Sequence, residues 1–133
     1  MYLVDTNVWL ERLLDQARSD EVGRFLATTP SDSLFVADFA LHSIGVILTR
    51  LNERDALLRF VKDVFIDGTV VLIHLEPVDT QRIVKVIEQF SLDFDDAYNY
   101  VAAEKYDLTI VSFDSDFNRT ERGRKTPAEV LSA

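Results

Sequence analysis

The sequence predicts an α/β fold: a parallel sheet with helices packed on both faces. Three observations carry that prediction. Four short apolar runs, "YLV", "LFVA", "TVVLIHL" and "LTIVSF", have the β-branched character of strands and are spread along the chain. Segments with helical spacing of apolar residues separate them, and strands alternating with helices favour a parallel sheet with crossover connections. A length of 133 residues, 47% of them apolar, suits one domain (1–133) with a single core.

The elements follow in order. "YLV" (2–4) reads as a short buried strand, and Asn7 as the N-cap of a helix over 8–14. A second helix is expected over 20–28, followed by the polar loop "TTPSDS". "LFVA" (34–37) is the second strand, and Asp38 is placed to cap the long amphipathic segment 39–51. Another helix over 53–65 closes at the turn "DG" (67–68). "TVVLIHL" (69–75) is almost continuously apolar, as expected of a strand covered on both faces. The segment 76–90 places Ile83, Val84, Val86, Ile87 and Phe90 on a helical stripe. "DDAYNYVAAEKY" (95–106) is a helix with two acids in its first turn, where the macrodipole favours them. "LTIVSF" (108–113) is the last strand. In "TPAEVLS", Thr126, Pro127 and Glu129 fall at the N-cap, N1 and N3 positions of a capping box.

Composition narrows the function classes. No apolar run approaches the roughly 18 residues of a membrane-spanning helix. The start "MYLVDTN" has no basic segment of the kind that opens a signal peptide. The absence of cysteine excludes disulfides and thiolate metal sites, and fits a cytoplasmic protein. A net charge of −9 argues against non-specific binding to nucleic acid. Locally the balance reverses: Arg119, Arg122, Arg124 and Lys125 form a basic patch, read either as a solvated turn or as a phosphate contact. Excess acid has another use, since clustered carboxylates hold a divalent cation that can in turn meet a phosphate.

Two strand-like runs end on acids, Asp5 in "LVDTN" and Asp114 in "IVSFDSDF". In parallel α/β sheets ligands bind beyond the carboxyl ends of the strands, so both acids are expected at one edge of the molecule. Either one alone is equally explained as a cap. The third member lies in "LDFDDA", where Asp93, Asp95 and Asp96 crowd one helix start. Capping explains one acid there; the mutual repulsion of three is relieved by a cation such as Mg²⁺.

These blocks resemble the PIN domain family, which includes many toxin ribonucleases. The resemblance covers essentially the whole chain, through "LVDTNVWLERL", "LDFDDAYNYVAAE" and "LTIVSFDSDFNRT". It implies a three-layer α/β/α sandwich around a mostly parallel sheet of four or five strands. It also implies Mg²⁺- or Mn²⁺-dependent cleavage of RNA, with Asp5, Asp96 and Asp114 as catalytic acids and Asp116 as a further metal ligand. Thr6, Asn7, Ser43, Ser112 and Asp95 are the supporting residues, and the basic patch is the candidate RNA contact. A homodimer and a cognate antitoxin are implied as partners. Trp9, Leu10, Leu13 and Leu14 are open to a dimer face or to the core.

One departure matters. The family carries a Glu in the helix after its second strand, and here that position falls on or beside Ser43. No Asp or Glu occurs between Asp38 and Glu53. Asp38 is a poor substitute, because five positions at roughly 100° each leave it about 140° around the helix from Ser43. His42 is placed to touch phosphate, whereas His74 lies in a strand-like run and reads as structural. Two functions follow: a metal-dependent ribonuclease working with three acids, or a weakened PIN module that binds RNA or a protein partner. A haloacid-dehalogenase-like phosphotransferase also begins with a strand ending in Asp, but it requires Asp-x-Asp, and here the third position is Asn7.

Overall fold

The computed structural model describes residues 1–133. Strands β1 (Tyr2–Val4), β2 (Leu34–Ala37), β3 (Val71–Ile73) and β4 (Thr109–Val111) form one sheet in the order β3-β2-β1-β4, with every neighbouring pair parallel. Leu3 is in register with Ile110, and Val4 with Val111. Because successive strand residues face opposite sides, Leu3 and Ile110 enter one apolar cluster while Val4 and Val111 enter the other. All four are essentially inaccessible to water. Truncating such a residue to Ala would cost about 2–5 kcal/mol.

Helices α5 (Thr80–Phe90) and α6 (Phe94–Tyr106) cover the first face. The second is covered by α1 (Thr6–Leu13), α2 (Ser19–Thr28), α3 (Asp38–Arg50) and α4 (Arg54–Val61), with the short α7 (Pro127–Leu131) packed at its margin. This is the expected α/β/α sandwich, with four strands. The α7 capping box forms as the sequence predicts, with Thr126 accepting from the Glu129 amide and Glu129 accepting from that of Thr126. Trp9 is 2% exposed and stacks edge-on against Phe60, so it belongs to the core.

Several local expectations change. Helix α1 starts at Thr6, and its N-cap is Asp5, whose carboxylate accepts from the Thr6 amide; Asn7 lies inside the helix with its side chain turned to β4. Asp38 likewise lies inside its helix, after an Ala37 N-cap that makes no side-chain bond. The helix expected over 53–65 ends at Val61 and continues as one π turn, Lys62–Ile66. "TVVLIHL" supplies only three strand residues, at the sheet edge, where Val71 and Leu72 are 40% and 45% exposed. Apolar content alone does not distinguish an edge strand from a central one. Val84 is exposed too, leaving Ile83, Val86 and Phe90 as the buried stripe of α5, with Ile87 partly buried.

Candidate metal centre

Parallel strands bring the chain after β1 and after β4 to the same edge, and the site is assembled there. Asp5 follows β1 directly and is buried. Its Oδ1 accepts from the Thr6 amide at 2.8 Å and from Asn99 Nδ2 at 3.1 Å. Its Oδ2 accepts from the Ser112 hydroxyl at 2.7 Å and from Asn7 Nδ2 at 3.4 Å. Burial pushes the Asp5 carboxyl above its ordinary range, the bonds from Ser112 and Thr6 pull it back, and the charge of Asp114 raises it again.

Ser112 joins the two strand ends. Its hydroxyl donates to Asp5 and accepts from the Asp114 amide at 2.9 Å and from Asn7 Nδ2 at 3.2 Å. Asn7 Oδ1 in turn accepts from the Phe113 amide at 3.2 Å. The β4 loop is thereby laced to the first turn of α1. Asp114 caps the 3₁₀ turn Ser115–Arg119 by accepting from the Asp116 amide. That capping bond falls on Oδ1 of Asp114, and the Asp114 carboxylate also stands within hydrogen-bonding reach of Asp96.

Helix α6 supplies the opposite wall. Asp93 is its N-cap and accepts from the Asp96 amide at 2.9 Å. Asp5, Thr6, Asn7, Ser43, Asp93, Asp95, Asp96 and Asp114 line one cleft of about 320 Å³ with Leu10, Phe39 and Ile47. Two of these acids, Asp96 and Asp114, also form a triplet with Asp116, which lies outside the cleft lining: one carboxylate oxygen of each lies within 4.8 Å of the others. The compact triplet therefore contains Asp116, while Asp5 lines the cleft together with Asp96 and Asp114. Partial burial, then the charges of Asp93, Asp114 and Asp5, push the Asp96 carboxyl from 3.8 up to about 8. One side-chain cation already meets the triplet: Arg119 pairs with Asp116 at 2.9 Å.

The donor set fits a divalent cation such as Mg²⁺ or Mn²⁺. Hard carboxylate oxygens converge, nitrogen and sulfur ligands are absent from the cleft lining, and the like charges that raise Asp96 are those a cation would relieve.

The family model of the PIN domain matches residues 2–123. The chain belongs to the PIN domain family. No curated protein is significantly similar to it. Among solved structures, VapC20 of Mycobacterium tuberculosis, described as a Sarcin-Ricin loop cleaving toxin, superimposes with a TM-score of 0.76 at 19% identity, over 89% of this chain and 93% of that one. A toxin-antitoxin complex from Klebsiella pneumoniae gives 0.75 at 20% identity over 96% and 98%. FitAcB of Neisseria gonorrhoeae gives 0.75 at 18% over 96% and 99%. At these identities the likeness is one of fold.

Ser43 faces the cleft where the resemblance implies an acid. Asp38 does not replace it, being bonded to the Phe39 amide and to the Tyr98 hydroxyl at 2.9 Å each. His42 is exposed on α3 but outside the cleft lining, and His74 is exposed and paired with Glu76 at 3.0 Å.

The basic patch holds loops together. Arg119 donates to the carbonyls of Phe90 and Ser91, closing the end of α5 where Ser91 takes a left-handed conformation. Arg122 donates to Asp107 and to the Leu108 carbonyl, and Arg124 to the Ser112 carbonyl. The Lys125 backbone bridges to β4 at Val111, and its side chain is exposed.

Proposed function

We propose that this PIN domain, one unit over 1–133, is an endoribonuclease that uses Mg²⁺ or Mn²⁺ and serves as the toxin of a toxin–antitoxin pair. The observation that carries the reading is the Asp96–Asp114–Asp116 triplet, set beside a buried and fully hydrogen-bonded Asp5 at the carboxyl edge of a parallel sheet. When bound, the cation would neutralise charge on the phosphate oxygens and supply a water that is nucleophilic near neutral pH.

The protein's own contribution is geometric and electrostatic. Four donors hold Asp5 in one orientation, so its negative charge is fixed toward the cleft without rearrangement. Ser112 and Asn7 keep the Asp114 turn against α1. Asp96 holds a proton to about pH 8 in the cation-free protein and must release it to act as a donor. Asp93 and Asp95 add negative charge at the cleft lining. The exposed Lys125 is the member of the basic patch freest to meet an RNA phosphate, because its three arginines are engaged with the protein itself.

The Klebsiella pneumoniae neighbour is a toxin-antitoxin complex, which supports an antitoxin as partner. Co-purification with the product of an adjacent gene tests it. The reading extends to a cytoplasmic homodimer, checked by cell fractionation and by light scattering at working concentration. No helix is long and apolar enough to cross a membrane.

The test of activity is cleavage of end-labelled single-stranded RNA with Mg²⁺ or Mn²⁺, comparing wild type with Asp96→Asn. Metal-dependent cutting lost in the variant supports the reading; equal cutting by both removes it. A second reading rests on Ser43, which leaves the α3 wall without a carboxylate. In that reading the domain binds RNA or a protein partner and cuts weakly or not at all. RNA binding without cleavage in either protein favours it.

A further inference from the structure

We propose that Asn99 is the positioning residue that fixes Asp5 relative to the helix carrying Asp96. This rests on the metal-centre reading. Asn99 is only 2% exposed and lies in a stretch of α6 whose buried neighbours are Ala97, Tyr100, Val101, Ala102 and Ala103. An amide in such surroundings is costly unless it is hydrogen-bonded. It has one use: Nδ2 donates to Asp5 Oδ1 at 3.1 Å, while its carbonyl oxygen is buried without a partner.

The four donors on Asp5 are not equivalent. The Thr6 amide and Asn7 lie one and two residues along the chain, so they travel with Asp5 when β1 or α1 shifts. Ser112 ties the carboxylate to β4. Asn99 alone ties it to α6, and Asp96 lies three positions earlier on that helix, on a neighbouring part of its surface. One buried bond thus links Asp5, directly after β1, to the helix that supplies Asp96. Without it, Oδ1 retains only an amide that moves with Asp5 itself. Three donors then remain on Asp5, none of them from α6, and no hydrogen bond ties the carboxylate to the helix that carries Asp96.

A residue kept for packing and one kept for positioning behave differently on substitution. Leu has the same branching as Asn at Cγ and brings no unpaired carbonyl. Asn99→Leu should therefore leave the thermal midpoint near that of wild type. Its Mn²⁺ dissociation constant, measured by calorimetry, should rise by about 10-fold or more, the usual effect of losing a residue that orients a metal ligand. In RNA cleavage kcat should fall while KM stays unchanged. Thr120→Val is the control, because that buried hydroxyl donates to the Phe117 carbonyl and accepts from the Gly123 amide, neither of them a residue of the cleft lining. It should lower the midpoint and leave Mn²⁺ affinity alone.

Wild-type affinity in Asn99→Leu overturns the proposal and leaves the metal-centre reading standing. Failure of wild type to take up Mn²⁺ overturns both. An equal loss of affinity in Thr120→Val shows that affinity follows stability, which overturns positioning. If Asn99→Leu does not fold, Asn99→Ala is read in the same titration. Failure of both to fold marks the amide as structural and overturns the proposal.

Discussion

Asp96→Asn should stabilise the metal-free protein, and the gain should grow with pH. The Asp96 carboxyl is raised from 3.8 to about 8 by its partial burial and by the charges of Asp93, Asp114 and Asp5. A group raised in the folded state favours folding most below its unfolded pKa and loses that advantage as pH climbs to the folded value. Below pH 4 both states carry the proton and Asp96 imposes no penalty. Between 3.8 and about 8 the unfolded chain ionises while the folded one resists, so stability falls steadily; above 8 the loss is constant. At full effect the displacement corresponds to roughly 5–6 kcal/mol. Because Asp96 is half open to water, screening reduces this to about 1–2 kcal/mol. The assay is urea unfolding in EDTA at pH 4, 6 and 8.5. The wild-type and Asn curves should nearly coincide at pH 4 and separate by that amount at pH 8.5. Adding Mn²⁺ should then stabilise wild type in proportion to the logarithm of its concentration over the dissociation constant, and Asn much less. A gap independent of pH, or an equal response to Mn²⁺, would rule out the raised Asp96 carboxyl as its cause.

Three further outcomes follow from the same geometry. Ser43→Glu places a carboxylate in the α3 wall of the cleft and should tighten Mn²⁺ binding by about tenfold, measured by calorimetry, since ligand charge sets affinity; unchanged affinity would place Ser43 outside the site. Ser112→Ala removes a buried donor to Asp5 and the acceptor of the Asp114 amide. Unfolding should show a loss of about 1–3 kcal/mol, and cleavage a drop larger than stability explains. Arg119→Ala frees the Phe90 and Ser91 carbonyls and should cost about 1–2 kcal/mol, with little change in RNA affinity by fluorescence anisotropy. A large fall in RNA affinity would return Arg119 to the substrate surface.

Much of this arrangement was legible because strand ends are legible. Asp5 and Asp114 each follow a β-branched run, and a parallel sheet puts both runs' ends on one edge. The three acids at the start of α6 stood out because capping needs only one of them, and that one proved to be Asp93. What escaped depends on which side of an element meets which neighbour. Asn99 sits in a helix buried nearly all round, so no polar–apolar period singles it out; an Asn three positions after Asp96, with Ala97, Ala102 and Ala103 on either side, was the available signal. Asn7 carries the residue type of an N-cap, yet Asp5 wins because its carboxylate sits where the helix begins, which frees Asn7 to bind the β4 loop. The exposure of Val71 and Leu72 follows from β3 being last in the sheet, a fact of topology that a seven-residue apolar run does not contain. The basic patch was visible as charge, but its bonds within the protein were not: Arg119, Arg122 and Arg124 each donate to a backbone carbonyl, and the first two also pair with Asp116 and Asp107.

The most direct test of the metal centre is anomalous scattering from a crystal equilibrated with Mn²⁺ at saturating concentration. The account predicts a peak bounded by the carboxylates of Asp96, Asp114 and Asp116, at the roughly 2 Å ligand distances of a small divalent cation, with Asp5 and its four donors unmoved. A cleft with no peak, or a peak that leaves these three carboxylates uncoordinated, would contradict it.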